Sequence, residues 1–276
     1  MTALLVPMGC GSSGSTSSKQ IVVAAFYPIA YAAQRVAPDA EVENLTAAGA
    51  EPHDLELSPR DVERIHDADT ILYFGEGFMP ALEESVGDAR RAFDLLAGEQ
   101  LRRADEAEKS ALDPHLWLDP KRYAAIVRKV AAALGRPSAA DELVEELEAL
   151  DEHFRRGLAD CERRQLVTSH AAFGYLADAY DLRQIPLAGL SPEAEPSARA
   201  IERMVDEVEA EGVTTIFFEP LVSPELAEAV AREAGVETAV LNPIEGLSED
   251  EIEEGADYVS IMRENLATLR GALGCT

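Results

Sequence analysis

Short runs rich in β-branched and aromatic residues alternate with amphipathic stretches along most of the chain, from Gln20 onward. Eight of these runs have the length and composition of strands. The predicted strands are residues 21–26, 41–47, 70–75, 91–96, 165–170, 183–188, 214–219 and 237–241. Strands that alternate with helices indicate parallel sheets with helices on their faces. The pattern therefore predicts an α/β fold with two four-stranded parallel sheets.

Two helical patterns separate the two sets of strands. Apolar side chains recur at helical spacing from Tyr123 to Leu134, and Gly135 and Pro137 then end that helix. A second stripe, from Leu143 to Leu158, predicts a rigid linking helix over 138–160, roughly 33 Å long at 1.5 Å per residue. We therefore expect an N-terminal lobe (20–137), the linking helix (138–160) and a C-terminal lobe (161–276).

Composition and charge exclude several classes of function. The chain has 276 residues, 47% of them hydrophobic, which is enough for real cores. Its 52 acidic and 24 basic residues give a formal net charge of -28, which argues against binding to nucleic acid or to an anionic membrane surface. Only four of the basic residues are lysines, and excess acid with few lysines indicates a protein of a salt-adapted organism. An ordinary acidic surface is the alternative.

The first 19 residues predict an anchor and a flexible tether. Cys10 follows an apolar run and precedes a segment rich in Gly and Ser, and this order resembles the lipobox of exported lipoproteins. Only nine residues precede Cys10 and none is Lys or Arg, so the segment is a remnant of a signal peptide at most. The alternative is a disordered leader. An anchored lipoprotein would lie on the outer face of the cell membrane, where a Cys161–Cys275 disulfide is permitted, but we expect two unpaired cysteines.

Three of the five histidines lie in loops or at a strand end, and two of them have acidic residues and proline as neighbours. His53 follows the second predicted strand, His170 ends the fifth, and His115 lies in the segment DPHLWLDP. Ligands bind beyond the carboxyl ends of parallel strands, and His53 and His170 lie at that edge, one in each lobe. Three imidazoles and one carboxylate can form a tetrahedral zinc site. His66 and His153 lack such surroundings, and we expect them on the solvated surface.

The segments around these histidines resemble those of zinc- and manganese-binding solute-binding proteins of ABC importers. The resemblance covers nearly the whole chain after the tether and rests on five segments in the expected order. They are GAEPHDLELSP (49–59), DPHLWLDP (113–120), SHAAFGY (169–175), GLSPEAEPS (189–197) and FFEP (217–220). The resemblance implies two lobes joined by a helix, with one metal ion buried between them.

The resemblance further implies a function and a set of ligands. We expect a monomer that binds Zn(II) outside the cytoplasm, hands it to an ABC permease and catalyses no reaction. The expected zinc ligands are His53, His115 and His170, with Glu245 as the fourth, because some zinc members use the glutamate of the same Asn-Pro-x-Glu sequence. A solvated acid is the alternative for Glu245. Zinc is favoured over manganese because the ligands are mostly imidazole.

Further expectations concern the residues near these ligands. Glu51, Asp54 and Asp119 are candidates for carboxylates that orient the ligand rings. The strand-end position that is often aspartate in the family is Asn242 here, whose amide is a poor ligand. The segment 99–113 contains acidic residues (Asp105, Glu106 and Glu108) but no histidine, so we expect no auxiliary metal site there.

Three alternatives remain for the function. The first is a Mn(II)-binding solute-binding protein. The second is a zinc hydrolase with three histidine ligands, against which the chain has no His-Glu-x-x-His helix and no G-x-S-x-G elbow. The third is a binding protein for an iron chelate or a cobalamin, which predicts an open cleft without converging histidines.

Overall fold

A computed structural model of the chain describes residues 19–87, 89–103, 111–190 and 198–276. Cys10 with its predicted tether and the acidic residues Asp105, Glu106 and Glu108 lie outside the described residues, as does most of the predicted family segment 189–197. The described residues form two four-stranded parallel sheets flanked by helices. The predicted fold class is confirmed.

The first sheet is built from four parallel strands in the order β2-β1-β3-β4. These are β1 (Ile21–Ala24), β2 (Glu41–Asn44), β3 (Thr70–Tyr73) and β4 (Ala92–Asp94). Val22, Val23 and Ala24 of the central strand β1 are fully buried. A strand covered on both faces consists of a continuous apolar run, which is why this segment is easy to predict.

A two-stranded antiparallel ribbon, absent from the predicted strands, follows the first sheet. It consists of β5 (Arg102–Arg103) and β6 (Leu112–Asp113), and it pairs Arg102 with Asp113. Strands of two residues carry no periodic pattern that a sequence can reveal. The ribbon matters because His115 comes two residues after Asp113.

The second sheet has four parallel strands in the order β10-β9-β7-β8. These are β7 (Gln165–Thr168), β8 (Arg183–Pro186), β9 (Thr215–Phe218) and β10 (Glu237–Val240). All eight predicted strands of the two sheets are present, each shorter than predicted. His170 and Glu219 therefore lie in the loops just beyond β7 and β9, at the carboxyl edge of the sheet.

The described residues contain ten α-helices. They are α1 (Tyr27–Val36), α2 (Pro59–Asp67), α3 (Pro80–Val86), α4 (Pro120–Ala133), α5 (Asp141–Gly157), α6 (Gly174–Ala179), α7 (Ala198–Ala210), α8 (Glu225–Ala234), α9 (Glu249–Glu253) and α10 (Tyr258–Leu273). Helix α2 begins as predicted, because Ser58 and Asp61 form a capping box. Helix α8 ends as predicted at Gly235, which has a φ of 69°.

Helices α4 and α5 carry the chain from the first sheet to the second. Helix α5 is shorter than the predicted linking helix, about 26 Å at 1.5 Å per residue, because Pro137–Ala140 forms a separate 3-10 turn and the helix ends at Gly157. Its residues Leu143, Leu147 and Phe154 are buried, as the apolar stripe predicts. The lobe boundaries given above stay a prediction.

Cys161 and Cys275 form a disulfide. The expectation of two unpaired cysteines is therefore wrong. A sequence separation of 114 residues gave no sign that the start of the second lobe and the end of α10 meet. Among the helices of the described residues, none is both long enough and apolar enough to cross a membrane.

An aromatic cluster supports the region between the sheets. Trp117 and Phe26 are fully buried, with ring centroids 5.0 Å apart, and Phe74 packs against Phe26 at 5.2 Å. The ring of His115 lies 5.2 Å from that of Trp117. Edge-to-face contacts of this kind hold Phe26, Phe74 and Trp117 in place, so His115 packs against a rigid aromatic cluster.

Candidate metal centre

His53 reaches the centre from a short turn after β2. Pro52–Asp54 forms a single 3-10 turn, and the Glu51 carboxylate accepts a hydrogen bond from the backbone N–H of His53 at 3.1 Å. The imidazole contacts the ring edge of Phe78, with centroids 4.8 Å apart. The turn and the aromatic contact together direct the ring inward.

His115 follows the antiparallel ribbon and is completely buried. One carboxylate oxygen of Asp113 accepts two hydrogen bonds from it, from the backbone N–H at 3.0 Å and from the ring Nδ1 at 2.8 Å. A proton fixed on Nδ1 leaves the Nε2 lone pair free to bind a metal ion. Asp113 therefore sets both the orientation and the tautomer of this ring.

His170 follows β7 in the second lobe and is also completely buried. Its Nδ1 lies 2.7 Å from Oε1 of Glu219, which also accepts from the backbone N–H of His170 at 3.3 Å. Because β7 and β9 are neighbours in the sheet, residues just after them meet at its edge. Glu219 thus holds His170 as Asp113 holds His115.

Glu245 lies in the loop that follows β10. The Asn242 side chain accepts a hydrogen bond from the backbone N–H of Ile244 at 2.7 Å, and Ile244 has a φ of 58°. The indole N–H of Trp117 donates to the carbonyl of Pro243 at 2.8 Å. These contacts turn the loop back, so that the Glu245 carboxylate enters the space between the lobes.

The four predicted ligands meet at one point. Oε1 of Glu245 lies 3.0 Å from Nε2 of His115 and 3.4 Å from Nε2 of both His53 and His170. One ligand atom from each residue lies within 4.8 Å of the other three. The side chain of His53 is 11% exposed and the other three are at most 1% exposed, so the cluster is closed to solvent except beside His53.

The carboxylates that hold the ligand rings are not the predicted ones. Asp54 is exposed, and Asp119 accepts from the backbone N–H of Lys121 at the start of α4. Glu51 contacts the backbone of His53. The role of Asp113 could be predicted from the sequence, because it lies two residues before His115. Glu219 could be found only by knowing that β7 and β9 are adjacent.

The other residues considered as candidates from the sequence lie outside the four-residue cluster. His66 and His153 are exposed, as expected. The Asn242 amide is engaged by its own loop and by α9, since it accepts from the backbone N–H of Ile244 and donates to Glu251 at 2.7 Å. Among the described residues, the four-residue cluster is the one group of His, Cys, Asp and Glu with metal-site geometry.

The carboxylates and imidazoles of the cluster shift one another's pKa values. Burial favours the neutral form of His170, but Glu219 and Glu245 outweigh it and raise the pKa of His170 well above its usual range. Burial lowers the pKa of His53. Burial opposes charge on Glu245 too, yet His170 and the hydrogen bonds from the imidazoles hold the pKa of Glu245 well below its ordinary value.

Glu51 stands apart from this pattern. Burial, followed by repulsion from Glu245, raises the pKa of the Glu51 carboxyl to about 9. A negative charge on Glu51, beside the charge of Glu245, is therefore disfavoured. The negative charge of Glu245 attracts positive charge, which a divalent cation can supply in place of protons.

Comparison with known proteins agrees with this geometry. Residues 22–272 match the family described as "Zinc-uptake complex component A periplasmic". The chain belongs to this family. Its members are extracytoplasmic uptake components and not enzymes, in agreement with the expectation from the sequence.

Relatives within the family carry zinc in their names. The chain is 33% identical to the "High-affinity zinc uptake system protein ZnuA" of Bacillus subtilis in an alignment of 288 positions, which covers 95% of this chain and 90% of that protein. It is 34% identical to the "Zinc-binding protein AdcA" of Streptococcus pyogenes (serotype M6, strain MGAS10394) over 92% of this chain. The match covers 58% of that AdcA protein, so the chain spans little more than half the length of the streptococcal relatives.

Solved structures of the family share the fold. The Zn(II)-bound ZnuA-like domain of Streptococcus pneumoniae AdcA has a TM-score of 0.79 and 34% identity, over 92% of this chain and 99% of that domain. The periplasmic zinc-binding protein TroA of Treponema pallidum has a TM-score of 0.82 and 26% identity, over 92% and 99% of the two chains.

Proposed function

We propose that the chain binds one Zn(II) ion between its lobes, through His53, His115, His170 and Glu245, and delivers it to the permease of an ABC importer. The observation that carries the proposal is the buried cluster, in which four ligand atoms from four loops lie within 4.8 Å of one another. Three neutral imidazoles and one carboxylate would leave the bound ion with one net positive charge. The neighbouring carboxylates of Asp113 and Glu219 offset that charge.

Zinc fits this set of ligands better than manganese. Imidazole nitrogen suits Zn(II), whereas Mn(II) prefers sites richer in carboxylate oxygen. The carboxylates of Asp113 and Glu219 contact the Nδ1 atoms of His115 and His170. The Nε2 atoms of the two rings therefore face the centre of the cluster. The relatives named above are zinc-binding proteins, which supports the same choice.

A zinc hydrolase is disfavoured by the same geometry. A catalytic zinc site keeps one position open for water, whereas a closed site draws all four ligands from the protein. Here Oε1 of Glu245 is within 3.4 Å of all three Nε2 atoms, which supports its assignment as the fourth ligand. The site is suited to hold an ion and not to activate water.

The test is metal analysis of the purified chain by mass spectrometry, after loading with an equimolar mixture of Zn(II) and Mn(II) and dialysis. We expect one zinc ion and no manganese per chain. The variant His153→Ala, which removes a surface histidine, should retain one zinc ion, whereas His170→Ala should lose tight binding. Equal retention of both metals, two tightly held zinc ions, or none, would contradict the proposal.

We also propose that the chain is a lipoprotein anchored through Cys10 at the outer face of the cell membrane. Support comes from the lipobox-like surroundings of Cys10 and from a relative that is 35% identical, named "Zinc-binding lipoprotein AdcA" of Streptococcus pneumoniae. Expression of the gene with its native upstream region should yield a membrane-bound protein that Cys10→Ser releases. A soluble wild-type protein without lipid at Cys10 would contradict the anchor.

A further proposal concerns the solution conditions. We propose that the chain acts as a monomer in concentrated salt, because a net charge of -28 repels itself least where the Debye length is about 3 Å, near 1 M salt. The melting temperature should rise steadily with KCl concentration while light scattering reports a monomer. A melting temperature independent of salt would contradict salt adaptation, and a dimer in both conditions would contradict the monomer.

A further inference from the structure

Tyr175 joins the two lobes next to the metal centre. It lies in the first turn of α6, five residues after His170, and its side chain is buried. The hydroxyl accepts a hydrogen bond from the backbone N–H of Arg102 at 2.8 Å and donates to the backbone carbonyl of Asp113 at 2.9 Å. Since Arg102 and Asp113 pair across the ribbon β5–β6, one hydroxyl of the second lobe closes the end of a ribbon in the first.

The surroundings of Tyr175 fit this contact closely. Two guanidinium groups of the first lobe lie over its ring, with Arg122 at 5.0 Å and Arg102 at 5.7 Å from the ring centroid. Gly174 leaves room for the guanidinium group of Arg102, because a Cβ atom at residue 174 would lie 1.6 Å from Nη1 of Arg102. The Nε atom of Arg102 also lies 3.1 Å from the carboxylate of Asp178 on α6.

The hydrogen bond from Tyr175 to Asp113 connects Tyr175 with His115, one of the proposed zinc ligands. The Asp113 residue that Tyr175 holds by its carbonyl is the one whose carboxylate accepts from the backbone and the ring of His115. Any displacement of the Asp113 backbone therefore moves the His115 ring. Helix α6, which carries Tyr175, begins just after the loop of His170, so the hydroxyl connects the two ligand loops across the lobes.

We propose that Tyr175 is a positioning residue for zinc, which fixes His115 relative to His170 by holding the backbone of Asp113 from the opposite lobe. This inference rests on the proposed zinc function. Removal of the hydroxyl leaves the carboxylate of Asp113 and its ribbon pairing in place but removes the hydrogen bond that holds its backbone carbonyl to the other lobe. The ligand geometry then loosens, and the bound ion leaves faster.

The test compares Tyr175→Phe with Tyr180→Phe. Tyr180 is also buried beside α6, and its hydroxyl donates to Asp151 at 3.2 Å, away from the metal centre. Both variants lose one buried hydroxyl and keep the ring. Stopped-flow mixing of the zinc-loaded chain with a chelator should show dissociation about tenfold faster in Tyr175→Phe, the lower end of the range for residues that orient metal ligands, and within about twofold of wild type in Tyr180→Phe.

A second measurement separates positioning from general loosening of the fold. In the Asp113→Ala background the link to His115 is already broken, so Tyr175→Phe should change the dissociation rate by less than about twofold there. A tenfold effect in that background would overturn the inference, as would an unchanged rate in Tyr175→Phe alone or an equal acceleration in Tyr180→Phe.

The two proposals fail in distinguishable ways. A wild-type chain that binds no zinc overturns the proposed function and this inference together. A wild-type chain that holds zinc tightly, with a dissociation rate that Tyr175→Phe leaves unchanged, overturns this inference alone.

Discussion

The Nδ1 atom of His170 lies 2.7 Å from a carboxylate oxygen of Glu219, although 49 residues separate the two along the chain. The adjacency of β7 and β9 creates this contact. It is buried, and it turns Nε2 of His170 toward Glu245, 3.4 Å away. The position of one proposed zinc ligand thus depends on the strand order of the second sheet.

Loss of Glu219 should therefore weaken zinc binding. Glu219→Ala leaves Nδ1 of His170 without its acceptor, so the ring loses both its fixed tautomer and its orientation. We expect zinc affinity to fall by about 10–100-fold in a chelator competition assay. Glu237→Ala, on the exposed strand β10, is the matched control and should retain wild-type affinity. Equal affinities in both variants would contradict the role of Glu219.

The fold could be predicted because its strands and helices are locally encoded. The buried strand β1 is a continuous apolar run, and Ser58, Pro59 and Asp61 mark the N-terminus of α2 in the sequence. The convergence of His53, His115, His170 and Glu245 was expected from a family resemblance, and their loops do meet between the sheets.

The remaining features depend on contacts between distant segments. Glu219 meets His170 across 49 residues, and Cys161 meets Cys275 across 114. The hydroxyl of Tyr175 reaches Asp113 from another lobe. No local pattern marks such pairs, because only the tertiary arrangement brings them together.

Substitution of Glu245 should weaken zinc binding without abolishing it. Glu245→Ala removes the fourth ligand but leaves three imidazoles and room for a water molecule. We expect a loss of zinc affinity larger than the roughly 10–100-fold typical of orienting residues, with one zinc ion still bound at high concentration. Wild-type affinity in this variant would reject Glu245 as a ligand.

Asn242 should matter for stability more than for binding. Its side chain contacts Ile244 and Glu251, and its backbone N–H donates to Asn265 at 2.9 Å. Asn242→Ala should lower the free energy of unfolding by about 1–3 kcal/mol, the cost of leaving buried partners unpaired, as measured by urea denaturation. Its zinc affinity should fall less than that of Glu245→Ala. The opposite ranking would assign the metal to Asn242.

Zinc affinity should fall as the pH is lowered. The carboxylates raise the pKa of His170 well above its usual range and that of His115 also above its ordinary value, despite burial, so both rings bind protons more tightly than free histidine in the metal-free chain. Protons therefore compete with zinc already above the ordinary histidine pKa of about 6.5. Titration calorimetry in buffers of different ionisation enthalpy should detect proton release on binding. Zinc retention unchanged down to about pH 4.5 would contradict a histidine site.

The disulfide should contribute stability but no zinc affinity. Cys161 and Cys275 are separated by 114 residues, and a cross-link of that span stabilises by about 5 kcal/mol through the entropy of the unfolded chain. The double variant Cys161→Ser/Cys275→Ser should unfold at lower urea concentration while still binding one zinc ion. A double variant with wild-type stability would contradict this account.

The most direct test of the central claim is an anomalous difference map, recorded at the zinc absorption edge from crystals of the zinc-loaded chain. We expect a single strong peak between the lobes, at about 2.0–2.2 Å from Nε2 of His53, His115 and His170 and from a carboxylate oxygen of Glu245. A peak bound by water in place of Glu245, a peak elsewhere, or no peak at these four residues would contradict the account.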